Sequence, residues 1–296
     1  MITAFKSVKL DPEAALEPRR DSVWRLVRRH PGVIFGASLL VAMIVVAVFA
    51  PLLFTVDPAT LDPISRLKPP EAAYWFGTDM YGRDLYSRTV FGTRISLVVG
   101  LCVTLMSVGV GLTIGLVAGY VRLLDAIVMR VMDGLMAIPG ILLAIAMIAL
   151  AGASLVTVVI AIAIPEIPRV VRLVRSVVLT IREEPYVEAA VTVGTRVPAI
   201  LIRHVLPNTV APLIVQGTYV CASAIITEAL LSFLGAGIPP EIPSWGNIMA
   251  EGRALFQVSP WIIFFPGLFL ALAVLAINVL GDGLRDTLDP RIARQM

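Results

Sequence analysis

Between Gly134 and Pro165 the chain runs for 32 residues without a charged side chain. A helix crosses a bilayer core with about 20 apolar residues, so this stretch is too long for one comfortable span. The cluster Ala151-Gly152-Ala153-Ser154 near its middle reads as a tight turn between two. Comparable runs recur, and six spans are expected at roughly 33–54, 95–121, 129–150, 155–178, 209–231 and 258–281. The fourth is the most polar, with Glu166, Arg169, Arg172 and Arg175 in its second half. With 58% hydrophobic and 15% charged residues and a mean hydropathy of +0.89, the composition lies outside that of soluble domains. The reading is an all-α, multi-pass membrane protein.

The first apolar run begins only at Val33, behind a tail with seven Lys and Arg residues, and its 22 residues are long for a signal-peptide core. It reads as an uncleaved anchor. The segment Asp21–His30 suits a short basic helix on the anionic inner leaflet, ended by Pro31-Gly32, or an ordinary juxtamembrane cluster. Counting Lys and Arg between spans with the N-terminus inside places 18 on the cytoplasmic side and 6 outside. Basic residues concentrate on the cytoplasmic side of membrane proteins, so both termini are expected there. The stretch 56–94, rich in Pro, Asp and aromatics, becomes an external loop.

Cys102 and Cys221 fall inside predicted spans and read as small buried hydrophobes rather than a disulfide or metal framework. His30 and His204 lack the partner spacing of a zinc site. None of the three lysines follows a glycine, so no phosphate-binding GxxxxGK[ST] loop can form. No nucleophile–base pair is visible either. The chain is therefore expected to be neither an ATPase nor another enzyme, with no cofactor or metal of its own and no nucleic-acid partner.

On the arginine-bearing segment between the fourth and fifth spans lies Tyr186-Val187-Glu188-Ala189-Ala190-Val191-Thr192-Val193-Gly194, followed by His204-Val205-Leu206-Pro207-Asn208. Glu183-Glu184-Pro185 suits a helix N-terminus and its positive dipole end. Ala189 and Ala190 keep the next turn thin, Gly194 ends it, Pro198 can open a second helix, and Pro207 is expected to close that helix before the fifth span. Three further stretches stand out: Phe76-Gly77-Thr78-Asp79 with Gly82-Arg83-Asp84 and Gly92-Thr93-Arg94; Leu231-Ser232-Phe233-Leu234-Gly235 with Pro243-Ser244-Trp245-Gly246; and Leu280-Gly281-Asp282-Gly283-Leu284-Arg285 with Leu288-Asp289-Pro290-Arg291.

Together these motifs resemble the C-type permease of bacterial dipeptide, oligopeptide and nickel ABC importers, from about residue 20 to the end. The resemblance implies the type I importer permease fold, with a tail at 1–32, a first span and outer loop at 33–93, a permease domain at 94–283 and a tail at 284–296. The Glu-Ala-Ala loop, about 182–208, would couple to an ATPase through Glu188, Ala189, Ala190, Gly194, Leu206 and Pro207. The implied partners are a sister permease, two ATPase subunits carrying ATP and Mg, an external or periplasmic substrate-binding protein, and the lipid of the bacterial cytoplasmic (inner) membrane. The implied cargo is a short peptide, with glutathione or a nickel complex as the alternative. A secondary transporter driven by an ion gradient would instead group ionisable residues near the midplane within an internal repeat, and neither is evident.

Physical readings stand beside the resemblance. Turn glycines beside Asp79, Arg83 and Asp84 suit an outer loop ordered by short-range ion pairs, or one that meets a binding protein. Residues 232–235 read equally as a helix terminator or part of a gate. Intramembrane charges are costly and raise a functional question by default. Glu166, set between Pro165 and Pro168 where the helix is expected to break, and Glu228 are the translocation-path candidates. Asp133, Asn278 and Asp282 read first as interhelical or interfacial anchors. Gly100, Gly109, Gly111, Gly115 and Gly119 are expected to let helices approach closely.

Overall fold

The computed structural model describes residues 31–288; the basic segment before Pro31 and the Asp289-Pro290-Arg291 motif lie outside the described residues. Ten helices account for most of it: α1 (Pro31–Val48), α2 (Leu85–Tyr120), α3 (Arg122–Ala137), α4 (Gly140–Ala151), α5 (Leu155–Arg182), α6 (Pro185–Thr192), α7 (Val197–Ile200), α8 (Leu206–Phe233), α9 (Trp245–Gly252) and α10 (Trp261–Leu288). No strand occurs among the described residues, only two isolated bridges.

Among the described residues, four helical runs are long and apolar enough to cross a membrane: α1, α2, the continuous run from Val197 through α8, and α10. The pair α3 and α4 makes a fifth if counted as one span, but it is bent by 87°. The single span expected at 129–150 is thus a broken one. Pro139 is the cause: its ring pushes the preceding residue out of the helical region, and Ile138 sits at φ −91°, ψ 128°. The fourth expected span, 155–178, lies within α5, whose Glu166 and arginines keep it out of that count.

Other boundaries moved for equally local reasons. The helix expected from residue 95 begins at Leu85, because the Asp84 side chain accepts the Ser87 N–H and caps it. The turn expected at 151–154 is present: α4 ends on Gly152 at φ +85° and Ser154 caps α5 through Thr157. Pro165 and Pro168 do not break α5, which continues through both. Neighbouring helices support it there: Ala161, Ile162, Ala163 and Pro168 are buried, and Ser107 of α2 donates to the Ala163 carbonyl at 3.2 Å. Pro207 does not close a helix either. It sits in the first turn of α8, and a wide i+5 turn at Leu201–Val205 joins α7 to α8 without interruption.

The centre of the molecule is the pair α2 and α5. A Cβ added at Gly111 would lie 2.6 Å from Val170, at Gly115 2.7 Å from Val174, and at Gly119 2.7 Å from Val178. Glycines and valines both recur every four residues, so one ridge seats against the other. A glycine inside a helix costs about 1 kcal/mol relative to alanine; here the close approach offsets it. Gly100 has the same role against Ile225, whereas Gly109 has nothing within 4 Å and packs on no part of the chain. Cys102 is exposed on α2 and Cys221 half-buried on α8, so the expectation of two buried thiols fails for Cys102.

Candidate functional site

Pro185 opens α6 where its missing N–H is of no consequence, and Glu184 precedes it in extended conformation. The helix closes in a Schellman motif: Thr195 N–H bonds to the Ala190 carbonyl at 3.0 Å and Gly194 N–H to Val191 at 2.9 Å. That closure requires a left-handed residue, and Gly194 has φ +83°. A Cβ there would touch nothing, so glycine is used for backbone conformation and not for space.

The helix rests on one anchor. Val187 is 1% exposed and joins Ile181, Ile200 and Val205 in the main core. Tyr186 lies 5.8 Å from His204, ring to ring, which joins α6 to the wide turn below α8. Around that anchor Glu188, Ala189 and Val191 are all exposed, with Ala190 half-buried. Val193 at 86% and Ile202 at 66% exposure extend an apolar surface around it, bordered by Glu183, Glu184, Arg196 and Arg203. Leu206 is half-buried and Pro207 exposed, both at the base of α8.

Above this end, the α5 arginines are paired. Arg175 bonds Asp125 with two N–H groups, Arg172 meets Asp133 at 2.6 Å, and Arg169 meets Glu166 at 3.1 Å. Arginines every third residue on one helix thus match carboxylates on α3 and on α5 itself. The i+3 spacing signalled a shared face; only the fold could supply Asp125. Asp282 accepts the Tyr219 hydroxyl at 2.6 Å, an interhelical bond between α10 and α8.

Glu166 is 8% exposed and also takes the Ser223 hydroxyl of α8 at 3.4 Å. Glu228 is fully buried; one carboxyl oxygen accepts Ser232 at 2.9 Å and Ser244 at 2.8 Å, and the other has no partner. Ser244 in turn caps α9. Neither acid lines the apolar groove between α1, α2, α8 and α10.

At the α9 end, Arg88 is 1% exposed and reaches both Asp79 and Glu251, the latter at 2.6 and 3.0 Å. Arg83 joins the same two carboxylates, each at 2.6 Å. The segment between α1 and α2 is therefore ordered by ion pairs, as its turn glycines and charges suggest. Glu251, 163 residues from Arg88, is the member that sequence spacing does not reveal. Trp245 is buried beneath, donating to the Thr89 carbonyl at 3.2 Å. Residues 232–235 do terminate a helix: Gly235 has φ +82° and Ala236 N–H returns to Leu231 at 2.9 Å.

Residues 111–294 match the family described as the binding-protein-dependent transport system inner membrane component. Residues 19–70 match the N-terminal transmembrane domain of oligopeptide transport permease C. Among relatives, the chain is 54% identical over 274 residues to "Probable peptide ABC transporter permease protein y4tQ" of Sinorhizobium fredii, covering 93% of this chain and 94% of that one. It is 42% identical to the dipeptide transport system permease protein of Alkalihalophilus pseudofirmus, over 95% of this chain and 93% of the relative. It is also 42% identical to the glutathione transport system permease protein of Pectobacterium atrosepticum, over 93% and 92%. With its paired α2 and α5, its exposed short helix and these matches, the chain belongs to the inner-membrane permeases of binding-protein-dependent ABC importers.

Proposed function

We propose that this permease carries short peptides or peptide-like solutes across a bacterial cytoplasmic membrane, and that α6 is where an ATPase subunit drives it. The observation that carries the coupling assignment is the two-sided character of α6. Val187 fixes it to the bundle, while Glu188, Ala189 and Val193 present a thin apolar surface with acidic and basic rims. A surface of that kind fits a groove on another protein. The apolar anchor passes any displacement of α6 into α5, two residues away. The peptide assignment is drawn from relatives named for peptide, dipeptide and glutathione transport, and glutathione is the second reading on that ground.

In this reading the α6 end and both termini face the cytoplasm, as the 18 to 6 distribution of basic residues favours. A sister permease, two ATPases holding ATP and Mg, and an external binding protein complete the transporter. ATP-driven closure moves the coupling helices and switches the pathway between two rigid-body states. Six membrane crossings then require α5 to cross despite its charges, with Glu166 and Glu228 near the path. Glu188→Arg in the reconstituted complex tests this. Transport and substrate-stimulated ATP hydrolysis should both fall to background while membrane assembly is unchanged. Normal ATP-dependent uptake by that variant would refute the coupling role.

A further inference from the structure

A groove between α1, α2, α8 and α10 is lined almost wholly by apolar side chains. Its lining runs along α2 from Arg94 to Leu112 and reaches Leu206 and Leu280 at the α6 end. Its floor includes Gly109, the glycine of α2 that packs on nothing. A mid-helix glycine destabilises its helix and normally returns that cost as close packing. Here it leaves open space instead, so the absence of a side chain at Gly109 helps keep the groove wide.

We propose that this groove is a phospholipid site, in which an acyl chain lies over Gly109 and the lipid phosphate meets Arg94. The groove, about 930 Å³ in volume, follows α2 for roughly 27 Å from Arg94 to Leu112, which is room for an extended acyl chain. The length along α2 is close to the hydrocarbon thickness of a bilayer, about 30 Å.

Charge gives the chain its polarity. Arg94 lies at the α9 end of the groove, where its guanidinium donates to the Ala47 carbonyl and, at 2.7 Å, to the Val48 carbonyl at the end of α1. Both partners are neutral, and among the described residues no carboxylate is paired with it. Its positive charge is fixed in position at the groove mouth and uncompensated, which suits a phosphate.

The test is native mass spectrometry of the assembled transporter purified in mild detergent, with phosphatidylglycerol then titrated back. Gly109→Phe and Leu105→Trp each fill the groove from a different turn, so one that fails to assemble leaves the other to decide. Wild type should retain a phospholipid that both variants lose. Arg94→Gln, which keeps donors for the α1 carbonyls, should bind phosphatidylglycerol about tenfold more weakly, the cost of one charge-assisted contact. Equal lipid counts in wild type and filled variants would overturn the proposal. So would an efficient cross-link from Leu105→Cys to the sister permease, which would mean that protein covers the groove. Lipid stoichiometry is read without uptake, so failure of the coupling assignment leaves this result standing.

Discussion

At the α9 end, Arg83 and Arg88 converge on Asp79 and Glu251 inside the protein, and Glu228 holds the cap of α9 from below. At the α6 end, a short helix is pinned by Val187 and leaves Glu188, Ala189 and Val193 facing outward. One end is closed by the chain's own polar side chains; the other ends in an apolar surface left exposed. Buried charge networks are costly to break from one side, whereas an exposed surface can change without disturbing the fold. A permease that is moved from one end would divide its stability in this way.

Substitutions at three positions sharpen or break that contrast. Arg88→Leu leaves Asp79 and Glu251 short of a cation, with Arg83 still on both, and should cost about 3 kcal/mol. A large fall in the midpoint of thermal unfolding of the purified complex is the check, and an unchanged midpoint would mean the network does not hold that end. Gly194→Val forces a β-branched residue to φ +83°, at a cost of about 1–2 kcal/mol. Uptake should fall while unfolding shifts only slightly, and Gly194→Asn should restore most of the uptake, because Asn tolerates the left-handed region. If Asn is as damaging as Val, the glycine serves the partner surface and not the turn. Asp133→Asn removes a half-exposed pair with Arg172 and should change stability by under about 1 kcal/mol. A larger loss would place the α5 arginines among the structural charges and blur the difference between the two ends.

The sequence carried the long helices and the short helix α6 because both depend on local signals. Apolar run length marks a span, and Pro185 with Gly194 brackets α6 within a residue or two. The misreadings arose where tertiary contacts override such signals. Arg88 and Arg94 looked like loop charges, which delayed the start of α2; in the fold Arg88 is buried against carboxylates and Arg94 caps α1. Pro139 was visible inside the uncharged stretch, but composition does not encode an 87° bend. Pro165, Pro168 and Pro207 looked like breaks, and packing or a wide turn carries the helix past each. Gly109 was indistinguishable by sequence from Gly111 and Gly115, and only the fold separates a floor of open space from a seam.

The valine-on-glycine seam has a mechanical consequence. Three contacts without a flexible side chain between them leave nothing to compress, since packed interiors yield very little. α5, about 42 Å long, and α2, about 54 Å long, are thereby riveted into a single strut. Its foot is two residues from α6, and its head carries Arg88 into the ion-pair network. A load applied at the foot arrives at the head as displacement, with no soft element in the column to absorb it.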